Sequence, residues 1–156
     1  MKKPIFLFSS LCLVLSVFLP SMVNAQMTAD PTDWKYEVKK MGADKYELIF
    51  EVKLKDGWHI FSQKPGDDFI IPPSFDVKAD RRVKLLGKVQ EKGNLKTEKI
   101  DGIDSPVRYY ESKADFVLLV SAKPGSKITG DHVYQVCNDK MCLPPKKKHF
   151  EFVIKD

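Results

Sequence analysis

Residues 45–55 alternate between apolar and charged side chains, and this pattern constrains the fold more than any other feature of the sequence. The apolar positions are Tyr46, Leu48, Phe50, Val52 and Leu54, and Glu or Lys fills most positions between them. Successive side chains of a β-strand point to opposite faces of a sheet. The pattern therefore predicts a strand with one buried and one solvated face. Past residue 25, no stretch shows a helical period over three turns.

Several other short segments are rich in β-branched and aromatic residues and are separated by turn-forming residues. Asp56-Gly57 predicts a hairpin between the first strand and the next, residues 58–61. The other predicted strands are residues 34–40, 69–78, 83–90, 114–122, 133–137 and 147–154. This number of short strands favours an all-β fold, an immunoglobulin-like antiparallel β-sandwich. Two segments, residues 63–68 and 93–106, are predicted loops, and long loops on such a scaffold are often functional.

The N-terminal 25 residues have the organisation of a cleavable signal peptide. Lys2 and Lys3 precede an apolar run, and Val23-Asn24-Ala25 is a small-residue cleavage site. The apolar run is shorter than the roughly 20 residues that a spanning helix requires. We therefore expect export without stable membrane insertion, a signal peptide over residues 1–25, a flexible lead-in over 26–33 and one domain over 34–156.

Length and charge exclude several classes of function. A chain of 156 residues has room for one domain with a real core, which excludes a multidomain enzyme with its own cofactor domain. Loss of the leader removes two of the 26 basic side chains and leaves 24 against 21 acidic ones, a net charge of +3. Such a charge is typical of a solvated surface, and no tract of interleaved aromatics and arginines indicates nucleic-acid binding. No cofactor is expected.

Two cysteines, Cys137 and Cys142, remain once Cys12 is removed with the leader. Disulfides persist outside the cytosol, so the two are expected to be paired. Closing a ring of about six residues contributes only ~2 kcal/mol in the loop-entropy model, which is little for a purely structural bond. A short-loop disulfide is also often exposed and easily reduced. The spacing alone leaves a redox role and a structural staple equally open.

A zinc site is a third interpretation of the same region. His132, Cys137, Cys142 and His149 provide two cysteines and two histidines, but their spacing matches no common zinc finger. We expect each histidine to lie on the solvent face of its strand instead, and no metal is predicted. Lys140 and the run 146–148 surround the cysteines, and positive charge favours the reactive thiolate. The run is also explained as the solubilising charge of an edge strand.

The segment Tyr134-Gln135-Val136-Cys137, followed by Cys142-Leu143-Pro144-Pro145, resembles the N-terminal domain of the thiol:disulfide interchange protein DsbD. The upstream sequence Lys55-Asp56-Gly57-Trp58-His59-Ile60-Phe61 resembles a strand of the same domain. The resemblance covers residues 34–154. It implies an immunoglobulin-like sandwich in the periplasm that passes electrons to partner disulfides outside the inner membrane.

The resemblance also implies roles for particular residues. Cys137 and Cys142 would form the redox pair, with Cys142 forming the mixed disulfide and Cys137 resolving it. The aromatic residues that flank the cysteines in the family correspond to His59 and Phe61. The histidine replaces the usual tyrosine, and we expect it to titrate near neutral pH beside the pair.

The family's cap loop shields the cysteines with an aromatic residue at its tip. By position this loop corresponds to residues 93–106, with Ile100, Asp101 and Ile103 nearest the tip. No aromatic residue stands there, and Tyr109 is a candidate substitute, although strand packing explains it as well.

The implied partners are a thioredoxin-like electron donor, such as a domain of a membrane transporter, and oxidised periplasmic thiol proteins. The transporter and thioredoxin segments of DsbD do not follow this module in the sequence given. The alternative is a non-enzymatic secreted binding or adhesion sandwich with a structural disulfide.

Overall fold

The computed structural model describes residues 30–99 and 104–155, and these residues fold as ten β-strands. In chain order the strands are β1 (Thr32–Lys40), β2 (Lys45–Leu54), β3 (His59–Phe61), β4 (Ser74–Ala79), β5 (Val83–Leu85), β6 (Gln90–Glu98), β7 (Val107–Ala122), β8 (Lys127–Tyr134), β9 (Val136–Cys137) and β10 (Lys146–Val153). Within the described ranges there is no helix long and apolar enough to cross a membrane.

The strands form two antiparallel sheets, which confirms the predicted all-β immunoglobulin-like sandwich. The larger sheet has the order β1-β2-β7-β3-β9, with β5 and β6 also paired to the long strand β7. The smaller sheet has the order β10-β8-β4. The five apolar positions of the alternating segment all lie in the buried core, as predicted. Phe50 lies at its centre, with its ring centroid 4.8 Å from those of Phe75 and Phe150 of the smaller sheet.

The turn at Asp56-Gly57 forms, but it does not close a hairpin. Gly57 has a φ of 78°, and the Trp58 amide donates to the Lys55 carbonyl at 3.1 Å. The strands on either side, β2 and β3, both pair with β7, over Lys113–Ser121 and Tyr109–Glu111 respectively. They run in one direction along one edge of β7 as a single interrupted strand. The turn shifts the chain so that β3 has a free edge for β9, the strand that carries Cys137.

Several predicted boundaries were wrong. The strand predicted over 69–78 is β4 and begins at Ser74, the one predicted over 83–90 is β5 and ends at Leu85, and the one predicted over 114–122 is β7 and begins at Val107. Residues 93–98, predicted as part of a long polar loop, belong to β6, which pairs with β7 with a bulge between Gly93 and Leu95. Their side chains are largely exposed, so the strand lacks the alternation by which strands are recognised. The domain begins before residue 34, because β1 starts at Thr32 and the Pro31 carbonyl accepts a hydrogen bond from the Lys55 amide.

Hydrogen bonds of Asp30 hold the start of the folded domain in place. Its carboxylate accepts hydrogen bonds from the Tyr134 hydroxyl at 2.6 Å and the Thr32 hydroxyl at 2.7 Å. Burial opposes ionisation of this carboxyl, but these hydrogen bonds outweigh it and lower the pKa of Asp30 to about 2. Residues 30–33 of the predicted flexible lead-in are therefore part of the folded structure.

Candidate functional site

Cys137 and Cys142 form a disulfide at one end of the larger sheet, with 4.0 Å between their Cα atoms. The turn between them is built around Asn138. Its side-chain oxygen accepts hydrogen bonds from the Lys140 and Met141 amides, both at 2.9 Å, and its own amide donates to the Met141 carbonyl. An Asn side chain that mimics a backbone turn in this way explains why this residue follows the first cysteine.

The two cysteines differ in exposure. Cys137 belongs to β9, pairs with β3 and is only 2% exposed, whereas Cys142 lies in the following loop and is exposed. Beyond the pair, the Leu143 amide donates to the Val136 carbonyl at 2.9 Å, and the Leu143 side chain is buried in the core. The bond therefore joins a cysteine held in the sheet to one that solvent reaches.

Cys137 packs in a small apolar cluster separate from the main core. Its buried neighbours in the cluster are Phe61, Val107 and Tyr109, and Ile70 packs against them from outside. A groove of about 480 Å³ opens above this cluster and includes both cysteines and His59 in its lining. The His59 ring lies 5.2 Å from Phe61 and 4.9 Å from Tyr109, measured between ring centroids. The structure thus brings together five of the site residues named from the sequence.

Acidic side chains surround the groove. Glu98, Glu111 and Asp139 line it together with one lysine, Lys99. The Tyr109 hydroxyl donates to Glu98 at 2.5 Å, and this hydrogen bond, assisted by burial, raises the pKa of Tyr109 to about 12. A negatively charged rim favours the thiol over the thiolate, so this environment is the opposite of the positive one expected from the sequence.

The lysines of residues 146–148 point to acids remote from the groove. Lys146 and Lys148 lie 3.7 and 3.2 Å from the Asp30 carboxylate, and Lys147 lies 3.1 Å from Asp131. All three belong to β10, which within the described chain pairs with β8 and forms an edge of the smaller sheet. Their role as charges of an edge strand is the one that the structure supports.

His59 is half-buried beside the cysteines. Burial lowers the pKa of its imidazole below the ordinary value, and the charges of Glu111, Asp139 and Glu98 partly oppose that effect. Desolvation is the largest influence on the ring, so the change is towards the neutral form of the imidazole.

The residues proposed for the cap tip, Ile100, Asp101 and Ile103, lie outside the described residues. A different loop, residues 65–71, borders the groove in the structure. Its Ile70 lines the groove, and Phe69 beside it is 97% exposed. Phe69 was assigned to a strand from the sequence, although Phe69-Ile70-Ile71 is an unalternating apolar run directly after two aspartates. An apolar run of this kind departs from the alternation expected of a half-buried strand. This departure was the sequence signal that could have identified a loop at the site.

The histidines of the zinc hypothesis do not join the cysteines. His149 is exposed and contacts the Asp131 carboxylate at 3.1 Å. His132, predicted on a solvent face, is 1% exposed, with its ring centroid 4.2 Å from that of Trp34. It is buried because it lies on the same face of β8 as Ile128, Gly130 and Tyr134, the face that points into the core. In the described ranges no group of three or more His, Cys, Asp or Glu side chains is placed to hold a metal ion.

An immunoglobulin-like sandwich with an end-of-sheet disulfide, one cysteine buried and one exposed in a groove, defines a thiol–disulfide exchange domain. The family comparison is consistent with this class. The sequence model of one protein family, the N-terminal domain of the thiol:disulfide interchange protein DsbD, matches residues 24–154. The chain belongs to this family.

Solved structures provide a second comparison. The N-terminal periplasmic domain of ScsB from Proteus mirabilis is 13% identical with a TM-score of 0.61, over 80% of this chain and 47% of that one. This chain thus spans less than half of that structure, and the likeness shows a shared fold. The reduced DsbD N-terminal domain from Neisseria meningitidis is 19% identical with a TM-score of 0.42, over 79% and 86% of the two chains.

A complex between the DsbD and PilB N-terminal domains from Neisseria meningitidis also matches. It is 16% identical with a TM-score of 0.47, over 76% of this chain and 80% of that one. No curated protein matches the chain.

Proposed function

We propose that the protein is a periplasmic thiol–disulfide exchange carrier that passes electrons to partner disulfides through Cys137 and Cys142. The observation that carries the proposal is the unequal exposure of the two cysteines. Cys142 is open to a partner's sulfur, whereas Cys137 is held under Phe61 and Tyr109. An exchange domain requires this difference, because one sulfur must form an intermolecular bond while the other stays within reach to break it.

The exchange proceeds in two balanced halves. A donor thiolate attacks the Cys142 sulfur, and Cys137 leaves as a thiolate. The donor's second thiol then attacks the donor sulfur of this mixed disulfide, which releases the reduced Cys137–Cys142 pair and an oxidised donor. In the second half the Cys142 thiolate attacks an acceptor disulfide to form a mixed disulfide. Cys137 attacks the Cys142 sulfur, the internal bond reforms, and the acceptor leaves with two electrons and two protons.

The proposed partners follow from this chemistry and from the family. The donor is a thioredoxin-like dithiol domain, such as one of a membrane transporter, and the acceptors are oxidised periplasmic thiol proteins. We propose that residues 1–25 are a cleaved signal that directs the domain to the periplasm. The domain comprises residues 34–156 and the preceding ordered residues 30–33. A periplasmic domain among the fold relatives is consistent with this location.

The reduction potential of the Cys137–Cys142 pair tests the proposal. We expect a value between about −180 and −270 mV, the range in which working exchange proteins lie. The measurement is equilibration of the purified protein in glutathione buffers, followed by thiol trapping and mass spectrometry. Circular dichroism of the reduced form controls for unfolding. A value below about −300 mV would identify a structural staple and support the alternative, a secreted binding or adhesion sandwich.

We also propose that the partner docks on the exposed apolar residues beside the disulfide. Phe69, in the loop 65–71, is 97% exposed, and Met141, between the two cysteines, is 52% exposed. Large apolar side chains exposed around a reactive group are typical of an interaction site. In this proposal Phe69 contacts the partner and, at 97% exposure, does not shield the disulfide.

Replacing Phe69 with alanine should slow reduction of the disulfide by a protein donor about tenfold, because a docked aromatic side chain contributes on the order of 1–2 kcal/mol. Reduction by glutathione should keep its wild-type rate, since a small thiol has no docking surface to lose. Both rates are measured by stopped-flow fluorescence, with reduced bacterial thioredoxin as the protein donor. V153A, an exposed apolar residue on β10, is the matched control. Equal slowing by F69A and V153A would contradict the docking role.

A further inference from the structure

Three adjacent strands place an acid, an imidazole and a sulfur in one row beside the groove. β3 lies between β7 and β9, and its first residue, His59, is registered with Glu111 on one side and with Cys137 on the other. Directly opposed residues of neighbouring antiparallel strands project from the same face, with Cβ atoms about 4.5–5.5 Å apart. All three residues line the groove. A carboxylate, a histidine and a thiol in this order form the arrangement of an activated nucleophile.

The groups around His59 suit a proton acceptor. Burial favours the neutral ring, which has a free nitrogen lone pair, and the carboxylates stabilise the ring after it takes up a proton. Glu111 also forms an ion pair with the Lys96 ammonium at 2.5 Å. The titratable and charged groups that face the imidazole are Glu111 and Tyr109 from β7, Glu98 from β6, Lys99 after β6, and Asp139 from the cysteine loop.

We infer that His59 accepts the proton of the Cys137 thiol as this thiol resolves the mixed disulfide at Cys142, and that Glu111 stabilises the resulting imidazolium. The inference rests on the proposed function. In this step a bond forms between the two cysteine sulfurs, and the bond between Cys142 and the partner sulfur breaks. The partner leaves as a thiolate, and the proton from Cys137 resides on the imidazole.

This role answers a specific difficulty of the site. Cys137 is buried in an apolar cluster under an acidic rim, and both conditions disfavour the thiolate that must attack. A neighbouring base removes the proton only as the new bond forms, so a stable thiolate is not required. The charged groups that would otherwise hinder ionisation then stabilise the protonated base.

The reaction of the reduced protein with 5,5′-dithiobis(2-nitrobenzoate) isolates this step. The exposed Cys142 attacks first and releases one thionitrobenzoate ion, and Cys137 then attacks the mixed disulfide and releases the second. The second phase is followed by stopped-flow absorbance between pH 5 and 10 in the full chain. The variants are H59F, H59Q and E111Q, and H149Q is the matched control, because it removes an exposed imidazole on β10 that is not part of the groove lining.

We expect H59F and H59Q to slow the second phase about tenfold or more at pH 7. Their rates should rise with pH in proportion to hydroxide and meet the wild-type rate once the thiol ionises by itself. E111Q should slow it by a smaller factor at pH 7, and H149Q should retain the wild-type profile. A histidine variant with the wild-type profile, or one slowed equally at every pH, would overturn the inference and leave the proposed function intact. A wild-type protein without a second phase would overturn both.

Discussion

Replacing Cys142 with serine is expected to abolish the mixed disulfide with partner proteins, whereas replacing Cys137 with serine should stabilise it. In C142S the remaining thiol is buried at 2% exposure in the cluster of Phe61 and Tyr109, and a partner disulfide cannot approach it in line. In C137S the exposed thiol still attacks, but no internal thiol is left to break the intermolecular bond. Exchange should fall by on the order of a hundredfold or more in C142S.

The measurement is incubation of each reduced variant with an oxidised disulfide isomerase, followed by non-reducing electrophoresis and mass spectrometry of the adduct. The double variant C137S/C142S controls for association without a covalent bond, and thermal unfolding controls for the loss of the disulfide itself. Equal trapping by both single variants would contradict the assigned roles. More trapping by C142S than by C137S would reverse them.

Acid should destabilise the protein by about 3 kcal/mol through His132 alone. This side chain is 1% exposed, its ring lies against Trp34, and its Nε2 shares a hydrogen bond with the Tyr36 hydroxyl at 2.8 Å. Burial, assisted by the nearby charge of Lys148, lowers the pKa of His132 from 6.5 to about 4. Because small domains are stable by only about 5–15 kcal/mol, a loss of this size is a large fraction of the total.

The sign of the effect follows from the number of protons bound in each state. Well above pH 6.5 the imidazole is neutral in both states and makes no pH-dependent contribution. Between pH 6.5 and about 4 the unfolded chain binds a proton at His132 that the folded protein does not, so the free energy of unfolding falls as pH falls. His59, whose pKa is also lowered, adds to the loss with the same sign, and Asp30 adds to it below pH 3.8.

Urea unfolding at pH 7, 5.5 and 4, at constant ionic strength, measures this dependence. H132F should be less stable than the wild type at pH 7, because the Tyr36 hydroxyl loses its partner, but its stability should decline less towards pH 4. F150L, a substitution in the same core without a titratable group, should lower the curve by a similar amount at every pH. A curve for H132F parallel to the wild-type curve would contradict a neutral buried imidazole.

The core and the fold class were predictable because they depend on a local property. Alternation from Tyr46 to Leu54 determines which side chains of β2 are buried, whatever the strand pairs with. The strand β6 was missed because its side chains are largely exposed on both faces, so its pairing with β7 leaves no trace in hydropathy. The hairpin at Asp56-Gly57 was predicted wrongly because a turn signal specifies the local backbone and not the strand that is paired next.

The sequence by itself determined that a β-sandwich carries one closely spaced cysteine pair, and its family resemblance indicated His59 and Phe61 as neighbours of that pair. Only the tertiary structure decided that Cys137 is buried and Cys142 exposed, that Lys146–148 face Asp30 and Asp131, and that Glu111, His59 and Cys137 form one row. Spacing along a chain limits which residues can meet locally. Charge and exposure at a site depend on strand register between segments far apart in sequence, and no local pattern encodes that register.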